Sequence, residues 1–479
     1  MLCTLQGWER LRKRSWHLSF KMPEGTWKKG DGMETYRFGA EDIEVLGTWD
    51  TVVVGGGTAG ASCAISAANG GNRTLVVEAA SSLGGSPSQA LVTPMMPSYA
   101  PHGKNLHEIE RRLNEAGIVT REDGDRMGYI WTTAESFACV LEDMLYEVGG
   151  EALYDAPLVC ADVKDGKISA IEAMTVEGPK AICAAQFVDA TGDAVLSRLA
   201  GVPCLAGDDD GNNQMSSLRF EMGGIDVDCY RRYCLSLGDE FSPLVDGYFW
   251  ESAMVAGRGF KLEPLFRKGV EAGILEPSDL VYYQCFSLPG EPGCMAFNCP
   301  HLPDLKKNSS ALARSQALRE GRQRIRRLVK FLTAYMPGFE DAYLIRIAPM
   351  LGVRESWRIQ GSYVLDVDDY VKRAKFDDAV ANGTWYIDVH SATKGLVHME
   401  KYQKGEYYQI PYRCLTNKTI SNMLTVGRCI STSFLVQASV RIQQTVIDMG
   451  DSAGRACARA KKQQMPLSEL DGTGLLVAE

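Results

Sequence analysis

Residues Gly55-Gly56-Gly57-Thr58-Ala59-Gly60 meet the G-x-G-x-x-G spacing and follow the β-branched run Thr51-Val52-Val53-Val54 directly. A strand before that pattern and a helix after it suit the binding of a dinucleotide. Gly55 permits the tight turn, Gly57 omits the side chain that would block a pyrophosphate, and Gly60 lets helix and sheet approach closely. The opening amides and the positive end of the helix then face the phosphates. Glu78 stands 18 residues beyond Gly60, with Ala79 next to it, at the end of a second predicted strand. A carboxylate there accepts hydrogen bonds from ribose hydroxyls and disfavours a 2′-phosphate. These residues leave FAD and NAD both open. Gly84-Gly85-Ser86 follows closely, as if a second loop passes near a cofactor longer than NAD, and the small residues of Ala190-Thr191-Gly192-Asp193 let backbone lie against it.

Candidates for substrate chemistry lie further along. The segment Arg354-Glu355-Ser356-Trp357-Arg358 places two guanidinium groups and a carboxylate in one short stretch. Arg354 could hold an anionic or polar substrate in bidentate fashion with Glu355 orienting it; a structural ion pair joining domains is the competing reading. His390, after Tyr386-Ile387-Asp388-Val389, is the candidate acid or base, since an unperturbed imidazole titrates near neutrality. Packing alone also explains a lone histidine. The run Arg322, Arg324, Arg326, Arg327 and Lys330 alternates with Ile325, Leu328, Phe331 and Leu332, which predicts a solvated helix face in place of a binding patch.

The elements that must position these groups read as follows. A βαβ opening runs from Thr51 through a small-residue helix Ala59–Asn69 to a strand Thr74–Val77. Thr132 and Glu135 form a capping box for a helix to about Val148. Leu158–Met174 reads as two strands around Asp165-Gly166, and Phe187-Val188 as another. A long helix is expected near 309–335, an alternating strand at Trp385–Val389, a strand at Met423–Val426 and a helix at Ser439–Lys461. The expected organisation is an extension at 1–46 holding a loop-like run at Lys28-Lys29-Gly30-Asp31-Gly32, a nucleotide domain from 47–210 and 413–465, a substrate domain at 211–412 and a tail at 466–479.

The length of 479 residues allows a large buried core, and no apolar run reaches the roughly 18 residues of a spanning helix. With 51 basic and 60 acidic residues, a net charge of -9 argues against a nucleic-acid surface. The 14 cysteines are scattered without a CxxC pair, and the closest group, Cys285, Cys294 and Cys299, fits no iron–sulfur spacing, so reduced thiols and no metal site are expected. Arg10, Arg12, Lys13 and Arg14 lack the apolar stretch of a secretory signal, which predicts a cytoplasmic location.

Six ordered stretches, VVVGGGTAGASCAISAA, LVVEAASSLGGSPSQALVTP, QFVDATGDAVLSRLAGVP, LGVRESWRIQGSYVL, NMLTVGRCIS and ASVRIQQTVIDMGDSAGRACA, make the chain resemble the FAD-dependent oxidoreductases with a glutathione-reductase-type FAD domain. The likeness runs from about Glu44 to about Ala460. It implies an α/β fold: a Rossmann-like, three-layer ββα nucleotide domain with an inserted mixed-sheet α+β substrate domain. It implies pyrophosphate contacts at Gly55, Gly57, Thr58, Ala59 and Gly60, ribose contact at Glu78 and an adenine contact around Val159. It also implies that Gly84, Gly85 and Ser86 lie along the cofactor, that Thr191, Gly192 and Asp193 flank it, and that Gly427 and Arg428 close its ribityl end. The chain departs from the family pattern at Thr58, where Pro is common, and at Gln443-Gln444, where Met-Pro or similar residues follow the helix-opening Arg.

Flavin chemistry needs a substrate held against N5 and stabilisation of the negative charge that gathers near N1 and C2=O on reduction. The predicted helix at 439–461 and Arg441 could supply that field; Arg441 as a surface or ion-pairing residue is the alternative. No second G-x-G-x-x-G with its own strand and helix argues for a separate NAD(P)H domain, and no C-x4-C redox pair lies near the first helix. The expectation is an FAD enzyme moving a hydride to or from a small organic substrate, with an unnamed electron acceptor. A non-catalytic flavoprotein and an NAD-dependent dehydrogenase stay open at this point.

Overall fold

The computed structural model describes residues 26–30, 33–37, 42–96, 98, 100–116, 130–239, 251–391, 395–398, 402–403 and 405–478. Cys3 and the basic positions Arg10 to Arg14 lie outside them. The described residues up to Glu44 belong to one compact unit and those from Val45 on to another. In the first, β1 (Thr26–Gly30) and β2 (Met33–Arg37) pair antiparallel from Thr26↔Arg37 to Gly30↔Met33. Lys28, Lys29 and Gly30 are therefore strand residues and not the loop expected from their composition; the cross-strand ladder overrides a weak local signal.

The second unit opens with β3 (Glu44–Val54), helix α1 (Thr58–Asn69) and β4 (Thr74–Val77). β3 starts seven residues before the Thr51 expected, since Glu44–Thr48 (Glu-Val-Leu-Gly-Thr) is at most half-buried and its two apolar residues, Val45 and Leu46, are adjacent and exposed, so no alternation marks a strand there. β3 and β4 are parallel, with Thr51 opposite Thr74 and Val54 opposite Val77. They sit in a seven-stranded mixed sheet with Glu151–Leu153, Leu158–Lys164, Lys167–Thr175, Gly178–Asp189 and Met423–Thr425. Both faces of its centre are covered: Val53, Val76 and Val188 pack toward the helices, while Val52, Val54, Leu75, Val77 and Phe187 pack on the opposite face. Double burial is why these strands read as continuous apolar runs.

One helix pair sets the geometry of this half. The helix Gln443–Gln463 lies against α1 so closely that a Cβ on Gly450 would fall 2.1 Å from the Ala59 carbonyl oxygen, and one on Gly454 2.3 Å from that of Cys63. Only glycine fits such an approach. Ser62 Oγ donates to the Ile447 carbonyl (2.7 Å) and Ser66 Oγ to Asp451 (2.5 Å), so the polar atoms left by small side chains are satisfied across the seam. The helix expected at 439–461 is in fact broken: Phe434–Val440 ends, Arg441 and Ile442 intervene, and Ile442 is extended (φ −69°, ψ 141°) before the next helix begins. Continuous small-residue character concealed that break. The N-cap of Ala134–Glu147 is Thr133, one residue after the Thr132 expected, with Thr133 Oγ1 accepting from the Ser136 amide.

A second, five-stranded sheet runs in the order Glu251–Met254, Tyr283–Ser287, Met295–Phe297, Phe220–Gly223, Tyr343–Ile347. Phe220, Met222, Tyr283 and Phe297 share a core with Ile325, Leu328, Phe331 and Leu332 of the helix Ala311–Tyr335. Arg324 on that helix is buried and paired with Glu320 (2.5 Å) and Asp279 (3.7 Å), and Arg327 pairs with Asp279 at 2.7 Å. The solvated face expected for this arginine run is thus partly an interior ion-pair network. Trp385–Val389 is not one strand: Ala379–Gly383 pairs with Tyr408–Pro411, and a separate strand Asp388–Ser391 pairs with Gly395–His398. No helix among the described residues is long and apolar enough to cross a membrane.

Candidate active site

One cavity of about 1410 Å³ joins the two sheets. Drug-sized ligands take roughly 300–1,000 Å³, so it has room for a dinucleotide and a second reactant. Gly55, Gly57, Thr58, Ala59, Glu78, Ala79, Gly85, Ser86, Ala190, Thr191, Gly192, Asp193, Gly427, Arg428 and Arg441 all line it, as do Arg354 and His390.

The nucleotide end is made from backbone. Gly55 turns with φ +98°, and a Cβ there would fall 2.6 Å from the Ala190 carbonyl oxygen. Gly57 is the N-cap of α1, and a Cβ on it would meet nothing nearer than the Gly85 Cα at 3.9 Å, so the space in front of it belongs to the cavity. Gly60 does not line the cavity; its Cβ would lie 1.9 Å from the Gly55 carbonyl oxygen, which makes its task helix-to-turn packing. Gly84 likewise works from behind, its amide donating to the Gly56 carbonyl (2.8 Å) while its own carbonyl accepts from Thr58 Oγ1 (3.1 Å). Thr58 thus fastens the second loop to the first.

Glu78 accepts from the amides of Gly56 (2.5 Å) and Ala80 (2.8 Å). Burial raises its pKa against the pull of those amides. Beyond it the wall continues through Ala156, Pro157 and Leu158. Val159, expected at the adenine, is outside this wall, with 43% of its surface exposed. Alternation along the strand turns Leu158 in and Val159 out.

At the other end the head of the helix Gln443–Gln463 enters through Ile442, Gln443 and Val446. Gln443 Nε2 donates to the Val92 carbonyl (2.8 Å) and Gln444 Nε2 to that of Met96. Two helix heads therefore open into one cavity, one at each end of its nucleotide side, each offering unpaired amides and a positive dipole end. Asp193 ties this wall to the helix Ala311–Tyr335 and to the Arg354–Arg358 segment. It receives both Nη atoms of Arg314 (2.7 and 2.8 Å), Arg428 Nη2 (2.8 Å) and Ser356 Oγ (2.5 Å). Burial pushes its pKa up, but Arg428 and Arg314 outweigh burial and hold the carboxyl well below the usual range.

The far end is made from side chains. Arg219, Arg354, Asp388, His390 and Arg441 reach the cavity from separate segments. His390 Nε2 lies 3.2 Å from Asp388 Oδ2, and His390 Nδ1 lies 3.0 Å from His301 Nε2, which is also 3.2 Å from Arg354 Nη2. Arg441 stands 3.7 Å from Asp388. Burial first, then Arg354, pushes the His390 pKa down to about 4 although Asp388 opposes the shift. His301 is held well below its ordinary value by burial and by Arg354. Burial and the facing Arg441 and Arg219 lower Arg354 to about 9.

Glu355 is not in the cavity. Its carboxylate is fully buried, ion-paired with Arg358, and accepts from Asn213 Nδ2 (2.6 Å) and the Gly207 amide (3.1 Å). Of the two readings of this segment, the structural pair describes Glu355, whereas Arg354 faces the site. Arg219, His301 and Arg314 were not singled out by sequence. Arg219 follows an unremarkable Ser216-Ser217-Leu218, and His301 opens a two-residue strand between Pro300 and Pro303 that pairs with Ser216–Ser217; neither neighbourhood carries a motif.

The family model of FAD-dependent oxidoreductases matches residues 50–478. No curated protein matches the chain. Among solved structures, similarity extends to a p-nitrophenol 4-monooxygenase from Pseudomonas putida DLL-E4 at 11% identity, covering 89% of this chain and 84% of that one with a TM-score of 0.49. It extends also to a geranylgeranyl bacteriochlorophyll reductase-like protein from Thermoplasma acidophilum at 13% identity, 91% and 82% coverage and a TM-score of 0.47. A myxobacterial chondrochloren halogenase is 12% identical over 87% of this chain and 76% of its own, with a TM-score of 0.44. The open cradle before Gly57, the carboxylate of Glu78 and the two helix heads fit the diphosphate, ribose and ring of FAD, the cofactor of this flavoprotein.

Proposed function

Because the chain belongs to the family of FAD-dependent oxidoreductases, we propose that it transfers a hydride between a small organic substrate and bound FAD in this cavity. One observation carries the proposal: the glycine-lined cradle and the Arg–His–Asp cluster open into the same space. In this reading residues 47–210 and 413–465 form a glutathione-reductase-type nucleotide domain, and residues 211–412 hold the substrate.

FAD, when bound, supplies hydride acceptance and donation. The protein's residues do the rest. The head of the helix Gln443–Gln463 and the Arg441 guanidinium set a positive field beside the ring position. His390, neutral in the empty site at pH 7 because its pKa lies near 4, is the acid–base residue there, with Asp388 fixing the ring. His301, 3.0 Å from His390 Nδ1, positions that ring and stands between it and Arg354. Trp385, Tyr386 and Tyr282 supply flat walls for the reacting partner.

Screening metabolites for anaerobic bleaching of the bound flavin tests the proposal. Bleaching by one class of compound, followed by recolouring with an acceptor, is the expected result. A yellow protein that no compound and no chemical reductant bleaches would instead hold FAD as a structural or sensory ligand.

A further inference from the structure

Three guanidinium groups, Arg219, Arg354 and Arg441, meet one carboxylate, Asp388, at the substrate end, an excess of two positive charges. The arginines are poorly answered by protein. Arg219, 7% exposed, gives one Nη to the Leu91 carbonyl (3.1 Å); Arg354, 9% exposed, meets only neutral groups among the described residues, the Met215 carbonyl (2.8 Å), Ser217 Oγ (3.5 Å) and His301 Nε2 (3.2 Å); Arg441 Nη2 reaches the Asp388 carbonyl (3.3 Å) and carboxylate (3.7 Å), while its Nε has no partner among the described residues. Burial first, offset in part by Tyr282, pushes Arg219 down to about 10, and Arg441 adds to the fall. Buried cationic charge of this kind is costly unless an anion answers it.

The hydrogen bonds add a second, independent mismatch. Arg354 can only donate, so His301 Nε2 accepts and the ring proton sits on Nδ1, which has no partner among the described residues. Asp388 can only accept, so it requires N–H at His390 Nε2. With one proton per neutral imidazole, His390 Nδ1 and His301 Nε2 face each other as two lone pairs across 3.0 Å. One more proton, on His390 Nδ1, turns that face-off into a hydrogen bond, with the single lone pair of His301 Nε2 then shared between His390 Nδ1–H and Arg354 Nη2–H. The groups facing that position are Asp388, His301, Arg354, Arg441, Arg219 and Tyr282. Asp388 favours the proton, and the arginines oppose it.

We propose that the substrate is a small organic carboxylate, and that it enters together with one proton that lodges between His390 and His301. The anion, seated against Arg219 and Arg441, removes the repulsion that keeps the proton out. The proton comes from solvent, and no electron moves in this step. Aromatic walls at Trp385, Tyr386 and Tyr282 suit a flat acid. The inference rests on the flavoenzyme reading, which fixes this end as the substrate side.

Calorimetric titration of the flavin-loaded protein near pH 6, in two buffers of different ionisation enthalpy, tests it. The probes are benzoate, phenylacetate and cinnamate, each beside its primary amide. At least one acid is expected to bind tenfold or more tighter than its amide, with proton uptake approaching one per anion. His390→Asn should abolish the uptake while flavin content stays normal, and Arg219→Gln should weaken the acid at least tenfold. If Arg219→Gln does not fold, Arg219→Lys, which keeps charge but loses the planar fork, should still cost several-fold. No acid exceeding its amide overturns the proposed substrate class, and tight acid binding without proton uptake overturns the coupling. Either result, with flavin still bound and bleachable, leaves the flavoenzyme reading standing; absence of bound flavin or of bleaching is the separate failure of that reading.

Discussion

The two ends of the cavity are built in opposite ways. At the nucleotide end, consecutive glycines, a helix head and two backbone-anchored carboxylate oxygens make a surface with few side chains to place. At the substrate end, side chains from Arg219, His301, Arg354, Asp388, His390 and Arg441 converge across up to 222 residues of chain, from 219 to 441. A backbone-built site tolerates no added atom. A site built from side chains tolerates changes of shape but depends on its charge and proton count.

The largest test of this contrast is Gly57→Val. Because a Cβ there meets nothing within 3.4 Å, the chain should fold, yet the phosphate space is filled; flavin absorbance of the purified protein should fall to background. Full flavin content in that variant would place the diphosphate elsewhere. At the other end His390→Ala should keep its flavin and slow anaerobic reduction by whichever metabolite bleaches the wild type by about 10²–10⁴-fold, the usual share of acid–base catalysis. An unchanged rate would return His390 to a packing role.

Glu355→Gln separates the cavity from its support. Breaking a buried pair by removing one partner costs about 3–5 kcal/mol, so a lowered Tm is expected while the reduction rate per bound flavin stays within about twofold. A large rate loss at unchanged Tm would make Glu355 part of the chemistry. Acid should act on the substrate end in a defined window. An unfolded histidine takes its proton near pH 6.5, whereas folded His390 refuses it until about pH 4. Stability should therefore fall as pH drops from about 6.5 to about 4 and change no further on this account below that. At about 1.4 kcal/mol per pKa unit the loss is on the order of 3 kcal/mol, read as the difference between wild type and His390→Asn in urea melts at both pH values. The smallest effect belongs to Val159→Ser: its exposed side chain should leave flavin content unaltered.

The strand, glycine turn and helix at the backbone-built end were legible because one stretch of about thirty residues, Thr51 to Glu78, holds strand, turn, helix and acid in register, and local spacing dictates the geometry. Val159 shows the limit: a one-residue shift along a strand reverses the facing side, and only pairing decides it. Arg354 and Glu355 are neighbours with the same apparent promise, yet one faces the cavity and the other the interior. The His301–His390 contact spans 89 residues and no pattern in either segment announces it. Arg441 was singled out and lines the cavity, but the helix break beside it at Ile442 was not anticipated, because small and apolar residues run through it unbroken.

The seam between α1 and the helix Gln443–Gln463, where Gly450 and Gly454 rest on the carbonyls of Ala59 and Cys63, has a metric consequence. At those two crossings backbone rests on backbone with no side chain between, so the offset of the two helix heads is set there by peptide against peptide. It would work as a caliper: a dinucleotide that reaches both jaws would be held at one length only, and a mononucleotide would leave the second jaw empty.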